Sequence, residues 1–284
     1  MRLFKTPREI KKNTHRIIGD IDEVKIEIID AKNKLDEILS IVTNQRTSAE
    51  TSRYHIYKRL GFELLLDSSS LVDKTIIEEG HWEAGQVEFI RGLIERMNKG
   101  PDCFFLDIGA YWGLYSMIAL QAGVPNIMAF EADKNNYAQF KTQQFLNDTT
   151  DHIKCYNLAV SDRKGTATFW DSKKHPDGNR AGVGIVGPSH NDDTYEVETV
   201  SIDDFLSLKD KMIIAKLDVE GNEPNVLSGM TKTILNNRVV LQVEMLPGLE
   251  GPTIKALEAL DLRKIGEIHV DHYYTNLSAA EVGC

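Results

Sequence analysis

The sequence predicts an α/β domain with a mostly parallel sheet and helices on both of its faces. Short apolar segments of strand length alternate with helix-like segments from about residue 84 onward. Two of the strand-like segments, MIIAKLDV (212–219) and RVVLQVEM (238–245), are almost continuously apolar. Strands of this kind are buried on both faces, which is typical of parallel sheets whose strands are connected by helices.

The predicted elements follow one another with few interruptions. They are a helix at 84–98, a strand at 103–109, a helix at 115–123, a strand at 126–132, a helix at 134–146, strands at 153–160, 166–170, 195–200 and 212–219, a helix at 223–236, a strand at 238–245, a helix near 252–261 and strands near 264–275. Gly109 and Gly123 end the first strand and the second helix, since glycine tolerates the backbone conformations of turns. The Gly- and polar-rich stretch 171–194 is long for a connection and predicts a functional or mobile loop.

Apolar residues near the N-terminus recur in a heptad pattern. Successive positions are alternately four and three residues apart, at Ile17, Ile21, Val24, Ile28, Ala31, Leu35, Ile38 and Val42. In a parallel pairing Asp20 meets Lys25 and Glu27 meets Lys32, and both contacts are attractive. The pattern predicts a parallel homo-oligomer through residues 17–42, either dimeric or trimeric. The alternative is one amphipathic helix that docks on the globular domain.

We divide the chain into a basic arm (1–16), a coiled-coil helix (17–45), a linker and leading segment (46–75) and a catalytic domain (76–284). The arm carries six basic residues against Glu9 alone. Such an arm can contact an anionic membrane surface or an acidic partner, and the alternative is an ordinary solvated terminus.

The composition excludes several classes of function. A formal net charge of −10 argues against nucleic acid as the main partner, because phosphate binding needs a basic face. No apolar stretch reaches the length of a transmembrane helix, and the N-terminus lacks the apolar region of a secretory signal. The three cysteines are far apart, which argues against a disulfide framework or a zinc site. We therefore expect a cytoplasmic protein.

Acidic residues and glycines follow the first two strands of the predicted sheet. Asp107 precedes Gly109 and Gly113 at the end of one strand, and Glu131 ends the next. Ligands of such sheets bind beyond the carboxyl ends of the strands. Asp107 would repel the pyrophosphate of a dinucleotide but suits the ammonium group of S-adenosylmethionine, and Glu131 is placed to accept hydrogen bonds from ribose hydroxyls. An NAD-dependent sugar enzyme is the alternative.

Three further carboxylates are candidates for catalysis. Asp218 and Glu220 are two residues apart at the end of a strand, hence on one face, and Glu244 ends the neighbouring strand. A hydroxyl acceptor needs a general base, and the sequence does not decide which residue it is. Asp218 is our first choice for a catalytic-site residue and Glu220 our second. The three carboxylates could instead hold Mg²⁺ or Ca²⁺, but we assign no metal ligands. Glu83, just before the first helix of the domain, is a candidate for the mouth of the cofactor site.

The segments FLDIGAYWGLYS, AFEADKNNY, LAVSD, VETVSIDDF and AKLDVEGNEPNVLSGM resemble, in this order and spacing, the FkbM family of methyltransferases. The resemblance covers about residues 76–250, and LDVEG (217–221) is its most specific element. It implies a class I methyltransferase sheet, S-adenosylmethionine as the methyl donor and O-methylation of a hydroxyl, often on a sugar or a natural product.

Matching positions in the resemblance imply a set of cofactor-binding residues. Contacts with the methionyl part fall to Asp107, Gly109, Ala110 and Gly113, contacts with the ribose to Glu131, and contacts with the adenine to Ser161 and Asp162. The sequence departs from the family pattern at Ala132, where proline is common, and at Tyr111-Trp112, which replace smaller residues. Neither change removes a polar contact, so Tyr111 and Ala132 stay in the predicted site.

The sequence therefore predicts an S-adenosylmethionine-dependent O-methyltransferase that acts on a hydroxyl of a carbohydrate or glycan. A lipid-linked or secondary-metabolite acceptor is the closest alternative. A second alternative, from a different class, is a non-catalytic coiled-coil scaffold with a relic methyltransferase domain.

Overall fold

A computed structural model describes residues 52–172, 180, 182, 184–185 and 194–282. The predicted basic arm and coiled-coil helix lie outside the described residues, as does most of the predicted loop at 171–194. Within the part that the structure describes, no helix is long and apolar enough to cross a membrane.

The described elements alternate between strands and helices over most of the chain. In chain order they are β1 (Tyr54–Arg59), β2 (Phe62–Asp67), α1 (Leu71–Glu79), α2 (Ala84–Met97), β3 (Cys103–Ile108), α3 (Leu114–Gln121), β4 (Asn126–Phe130), α4 (Lys134–Leu146), β5 (Ile153–Tyr156), β6 (Ala159–Val160), β7 (Gly165–Trp170), β8 (Thr194–Val200), α5 (Ile202–Phe205), β9 (Met212–Leu217), α6 (Glu223–Gly229), α7 (Thr231–Leu235), β10 (Arg238–Glu244), α8 (Glu250–Ala259), β11 (Arg263–Ile268), β12 (Asp271–Thr275) and α9 (Ala279–Val282).

The main sheet of the described residues has seven strands in the order β11-β12-β10-β9-β3-β4-β5. Strands β5, β4, β3, β9 and β10 are parallel, whereas β12 runs antiparallel to both β10 and β11. The chain leaves β3 toward β4 on one side and returns to β9 on the other, so the strand order reverses between β3 and β9. This is the predicted class I methyltransferase-like sheet, and its reversal point is where such folds bind ligands.

Apolar side chains on both faces of the sheet hold it in place. All six residues of β9 are buried, in keeping with a central parallel strand. Phe105 and Ile214 pack on one face with side chains of α2 and α3, whereas Ile213 and Leu241 pack on the other with side chains of α6. Each such side chain stabilises the fold by about 1.5–3 kcal/mol through burial. The continuous apolar runs of the sequence thus predict the central strands correctly.

Two predicted elements are each divided in the structure. The strand predicted at 153–160 is β5 in the main sheet and β6 in a separate sheet of order β6-β8-β7. Asn157 lies between them and its side-chain amide donates to the carbonyl oxygens of Glu131 and Ala132, at 2.8 and 2.9 Å, which holds the chain away from the main sheet. The helix predicted at 223–236 is α6 and α7, because Gly229 at the end of α6 lies directly against the carbonyl oxygen of Ser161.

A β-hairpin of β1 and β2 occupies part of the segment predicted as a linker and leading segment. It belongs to the same compact unit as the main sheet. The free edge of β2 is covered by side-chain amides of α4, in which Gln143 exchanges two hydrogen bonds of 2.9 Å with the backbone of Leu65. Asn147, four residues on, bonds the backbone of Glu63 in the same way at 2.9 and 2.8 Å. The side chains of α4 and of Asn147 therefore supply hydrogen-bond partners for the edge of β2, which would otherwise be free to pair with another chain.

Candidate functional site

A cavity opens at the carboxyl ends of β3, β4 and β9, at the reversal point of the sheet. Gly109 follows β3 with a φ of 82°, and a Cβ placed on it would lie 1.7 Å from the carbonyl oxygen of Asp218. The amide of Asp218 in turn donates to the carbonyl oxygen of Ile108 at 3.0 Å. Only glycine fits between the ends of β3 and β9, because any side chain would separate the two strands.

Three non-glycine residues on the cavity wall adopt the left-handed backbone conformation. They are Glu83 (φ 48°), Tyr111 (φ 53°) and Glu220 (φ 54°). Such conformations cost free energy for residues with a side chain, and they concentrate at functional sites where the surroundings impose them. Each turn directs its residue toward the same cavity.

Asp107 lies at the base of the cavity, next to the last residue of β3. Its Oδ2 accepts hydrogen bonds from the amide of Ser116 at 2.9 Å and from the Ser116 hydroxyl at 2.6 Å, so the carboxylate is anchored on the first turn of α3. Burial raises the pKa of Asp107 although the Ser116 hydroxyl opposes the rise. A cationic group of a ligand would favour the ionised form of Asp107, since an opposite charge nearby stabilises a carboxylate.

Glu131 follows β4 and faces the same cavity. Its carboxylate accepts from the amide of Tyr111 at 2.7 Å and from the amide of Asp133 at 2.8 Å. Burial raises the pKa of Glu131 to about 8, and the charge of Asp133 adds to the rise. Each carboxylate oxygen has two lone pairs, so both can also accept a ligand hydroxyl.

Asp218, Glu220 and Glu244 form the carboxylate cluster, whose ligand atoms all lie within 4.8 Å of one another. Burial raises the pKa of Glu244 to about 10, with further contributions from Asp218 and Glu220, and burial also raises the pKa of Glu220 to about 7. The Oε2 atom of Glu244 is buried without a hydrogen-bond partner among the described residues. The cluster can combine a neutral carboxyl that donates with a carboxylate that accepts, and its oxygens are also of the type that divalent cations prefer.

Lys216 is a functional residue that the sequence analysis missed. It is 4% exposed within β9 and forms an ion pair with Asp218. Its ammonium also lies 4.7 Å from the ring centroid of Tyr115, whose hydroxyl donates to Glu83 at 2.6 Å. Burial disfavours the charged lysine, yet Asp218 and Glu83 outweigh burial and raise its pKa. The available signal was a charged residue inside an otherwise apolar strand, since lysine is almost never buried unless paired.

Most of the predicted site residues lie together on the wall of the cavity. They are Glu83, Asp107, Gly109, Ala110, Tyr111, Glu131, Ala132, Asp218, Glu220 and Glu244. The cavity is also lined by side chains for which no role was predicted, among them Leu71 and Val72 of α1, Trp82, and Phe169 of β7. No local pattern marks Leu71 or Phe169, because their place on the wall depends on how distant elements pack.

Gly113, Ser161 and Asp162 do not line the cavity in the part of the chain that the structure describes. A Cβ on Gly113 would lie 2.2 Å from the ring of Phe140, so this ring fills the space beside the glycine. Contact of Gly113 with the methionyl part stays a prediction. Ser161 follows Val160, which does line the cavity, and the Ser161 amide donates to the carbonyl oxygen of Val200 at 2.8 Å. Contacts of Ser161 and Asp162 with an adenine stay a prediction.

Comparison with solved structures finds methyltransferases at low sequence identity. A methyltransferase FkbM from Methylobacillus flagellatus KT is 16% identical over 65% of this chain, with a TM-score of 0.42, and the match spans 47% of that protein. A ribosomal protein L11 methylase from Lactobacillus delbrueckii subsp. bulgaricus is 12% identical over 69% of this chain and 78% of its own, with a TM-score of 0.41. The Pyrococcus abyssi tRNA (uracil-54, C5)-methyltransferase, solved with S-adenosyl-L-homocysteine, is 11% identical over 78% of this chain and 43% of its own, with a TM-score of 0.41.

The family comparison is more specific. No curated protein matches the chain significantly. The model of the methyltransferase FkbM domain matches residues 107–270, which is more than half of the 284-residue chain. The match begins at Asp107 and includes Glu131 and the whole carboxylate cluster. The chain therefore belongs to the FkbM family of methyltransferases.

Proposed function

We propose that this methyltransferase transfers the methyl group of S-adenosylmethionine to a hydroxyl of a neutral carbohydrate or glycan. The observation that supports this most is that the carboxylate cluster faces the same cavity as Asp107 and Glu131. A hydroxyl is a poor nucleophile until its proton leaves, so an O-methyltransferase benefits from carboxylates beside the cofactor site.

The residues of the cavity fit S-adenosylmethionine. Among the described residues, no cationic side chain is in hydrogen-bond contact with the buried carboxylates of Asp107 and Glu131. A ligand with an ammonium group and ribose hydroxyls would complement both. Gly109, Ala110 and Tyr111 would hold the methionyl part, and Ser161 with Asp162 would approach the adenine. When bound, the cofactor supplies a methyl group activated by its attachment to a sulfonium.

We assign the role of general base to Asp218. Lys216 forms an ion pair with it and supports its negative charge, and both residues line the cavity. Glu244 stays protonated at neutral pH because burial and its acidic neighbours raise its pKa to about 10, so it can donate a hydrogen bond to the acceptor or to Asp218. Glu220 is the third carboxyl group of the cluster and can also bind the proton that leaves the acceptor hydroxyl. Catalysis then depends mainly on positioning the hydroxyl and removing its proton.

The charge of the cavity favours an acceptor without phosphate or carboxylate groups. Its wall carries the six carboxyl side chains of Glu83, Asp107, Glu131, Asp218, Glu220 and Glu244. Lys216 is the basic residue of the described lining, and it is already paired with Asp218. A neutral acceptor avoids like-charge repulsion, and Trp82 with Leu71 offers an apolar surface for the C–H face of a sugar ring. The same apolar surface would suit a lipid-linked or secondary-metabolite acceptor.

We also propose that the enzyme works as a homo-oligomer through residues 17–42 in the cytoplasm, with the basic arms able to contact an anionic membrane surface. The heptad pattern supports oligomerisation.

The test combines cofactor binding with a product search. Full-length protein and methyl-labelled S-adenosylmethionine are incubated with fractionated glycans, lipids and small metabolites, and products heavier by one methylene group are identified by mass spectrometry. Label on a glycan oxygen supports the proposal. Label on a lipid-linked or secondary-metabolite acceptor shows that the proposed acceptor class is wrong. Calorimetry with S-adenosylhomocysteine and with NAD is the second arm. Failure to bind S-adenosylhomocysteine favours a scaffold, and preference for NAD refutes the cofactor assignment.

A further inference from the structure

Asp73 of α1 is a buried carboxylate that lies outside both the cavity wall and the residues matched by the family model. Its Oδ1 accepts from the hydroxyl of Tyr111 at 3.0 Å and from the indole N–H of Trp112 at 2.7 Å. Its Oδ2 accepts from the amide of Asp67 at 2.8 Å and from the side-chain amide of Gln139 at 2.9 Å. One side chain therefore joins the hairpin, α4 and the glycine loop after β3.

Two of these donors, Tyr111 and Trp112, are adjacent residues of the glycine loop, and both reach Oδ1 of Asp73. The hydroxyl of Tyr111 also contacts the hydroxyl of Ser70 at 2.8 Å, at the residue before α1. The two large side chains of this loop are thus held from α1 and from the residue that precedes it.

The backbone of Tyr111 connects this network to the cofactor site. Tyr111 has the left-handed φ of 53° and its amide donates to Glu131 at 2.7 Å. The neighbouring Ala110 and Gly109 line the cavity. A residue in this strained conformation returns to a more common one unless its surroundings hold it. The Tyr111 hydroxyl, at the far end of the side chain, is held by Asp73.

We propose that Asp73 is a positioning residue of the methyltransferase, which keeps the Tyr111-Trp112 turn in the conformation that shapes the cofactor site. The segment from β1 to α1 lies before the residues that the family model matches, and under this proposal it helps to form the cofactor site. Leu71 and Val72, at the start of the same helix, contribute directly to the cavity wall. The inference rests on the cofactor part of the proposed function and is independent of the acceptor.

The test is the substitution Asp73→Asn in the full chain. Asparagine keeps the shape of the side chain, but its NH₂ group cannot accept, so two of the four donors lose their partner. We expect the Kd for S-adenosylhomocysteine to rise at least about tenfold, which corresponds to about 1.4 kcal/mol. Amide hydrogen exchange of residues 109–113, measured without ligand, should become faster in the variant.

Ile76→Val is the matched control, because Ile76 is fully buried on the same helix and its loss of one methylene lowers stability without removing a hydrogen bond to the glycine loop. The control should lower the Tm but leave the Kd and the exchange of 109–113 unchanged. If Ile76→Val weakens binding as much as Asp73→Asn, or if Asp73→Asn binds like the wild type, the proposal is wrong.

Two milder variants keep the test informative if Asp73→Asn fails to fold. Tyr111→Phe removes only the hydroxyl, whereas Trp112→Phe removes the indole N–H together with part of the buried ring. Each should accelerate exchange of the loop and weaken binding, and Tyr111→Phe is the milder of the two. Normal exchange and binding in both would overturn the proposal. If the wild type itself does not bind S-adenosylhomocysteine, the proposed function fails, while the exchange measurement still decides whether Asp73 positions the loop.

Discussion

Lys216 and Asp218 form an ion pair at the end of β9, and both residues line the cavity. The side chain of Lys216 is 5% exposed and that of Asp218 is 26% exposed. The buried lysine therefore supports the negative charge of Asp218, while the exposed part of the aspartate is open to an acceptor. An ionised, partly exposed carboxylate is suited to accept a proton.

Asp218→Asn tests this role. The substitution keeps the size of the side chain but removes the negative charge that takes the proton. We expect kcat to fall by about 10²–10⁴, the usual contribution of a general base, and the Kd for S-adenosylhomocysteine to change less than twofold or so. Steady-state kinetics and calorimetry measure the two effects. Equal losses in kcat and in affinity would show that Asp218 binds the cofactor, and the general base would then be Glu220 or Glu244.

Glu131→Ala addresses the cofactor contacts. The substitution removes a carboxylate that we expect to accept hydrogen bonds from the ribose, and such a charge-assisted contact contributes roughly 1.5–3 kcal/mol. Affinity for S-adenosylmethionine should fall at least about tenfold while the circular dichroism spectrum persists. Glu63→Ala is a suitable control, because Glu63 lies on the exposed hairpin and outside the described cavity wall. Normal binding by the Glu131→Ala variant would show that the ligand does not bind at this end of the cavity.

The parts of the site that could be predicted from sequence depend on local signals. Asp107, Gly109 and Glu131 each follow an apolar strand within a few residues, and the carboxyl ends of parallel strands meet at one edge of a sheet. Asp218 and Glu220 also reach the cavity, but not as alternate residues of a strand, because β9 ends at Leu217 and Glu220 lies in a turn with a φ of 54°. The structure places all five on the cavity wall.

The parts that could not be predicted depend on contacts between distant segments. Asp73 meets Trp112 across 39 positions of sequence, and the charge of Lys216 depends on Glu83, which is on another element. Gly113 shows that a glycine after a strand is not by itself evidence of ligand contact, because the space beside it is filled by the ring of Phe140. A glycine shows only that something comes close; the packing of the fold decides whether it is a ligand or a side chain.

The oligomer predicted from the heptad pattern can be tested by deletion. Residues 17–42 carry an apolar seam that would be exposed in a monomer, which favours burial between copies. Full-length protein should scatter light as a dimer or trimer, and a chain without residues 1–46 as a monomer that still binds S-adenosylmethionine. A monomeric full-length protein refutes the coiled coil. A truncated chain that stays oligomeric would show that the interface lies in the catalytic domain.

Stability should fall as the pH rises from about 5 to about 8. The pKa of Glu131 is raised by burial to about 8, so the folded protein retains a proton that the unfolded carboxyl, with a pKa near 4.3, has already lost. The contribution of this proton is complete below the unfolded pKa and is lost as the pH passes through the folded pKa. The slope for one such group approaches about 1.4 kcal/mol per pH unit. Denaturant unfolding at several pH values measures it.

Glu131→Gln isolates the contribution of this residue, because an amide does not titrate. Its free energy of unfolding should depend less on pH between 5 and 8 than that of the wild type, whatever its absolute value. Glu267→Gln is the control, since Glu267 is exposed and its pKa is lowered by the hydrogen bond with Lys264, so it stays ionised throughout this range. An unchanged slope in the Glu131 variant, or an equal change in the control, contradicts the assignment of the proton to Glu131.

Arg180, which lies between β7 and β8 in the sequence, contacts the hairpin and α4. It is 3% exposed, and its guanidinium lies 3.1 Å from Asp67, 3.0 Å from the hydroxyl of Tyr54 and 3.0 Å from the side-chain oxygen of Asn136. Arg180→Met keeps much of the buried volume but removes a charge that Asp67, itself fully buried, needs as a partner. Breaking a buried ion pair from one side costs about 3–5 kcal/mol. Since Arg53 also contacts Asp67, at 3.2 Å, we expect a loss near the lower end, about 3 kcal/mol.

Arg238→Met provides the comparison, because Arg238 forms an ion pair of similar length, 3.1 Å with Glu281, on the exposed surface. Exposed pairs contribute about 0–1 kcal/mol, so this variant should unfold at nearly the wild-type denaturant concentration. The difference between the two variants measures the effect of burial on the same chemical substitution. Gly182 and Ile185, close to Arg180 in sequence, line the cavity, so Arg180→Met should also weaken binding of S-adenosylhomocysteine. A stable Arg180 variant with normal binding would show that the cavity wall holds its shape without this anchor.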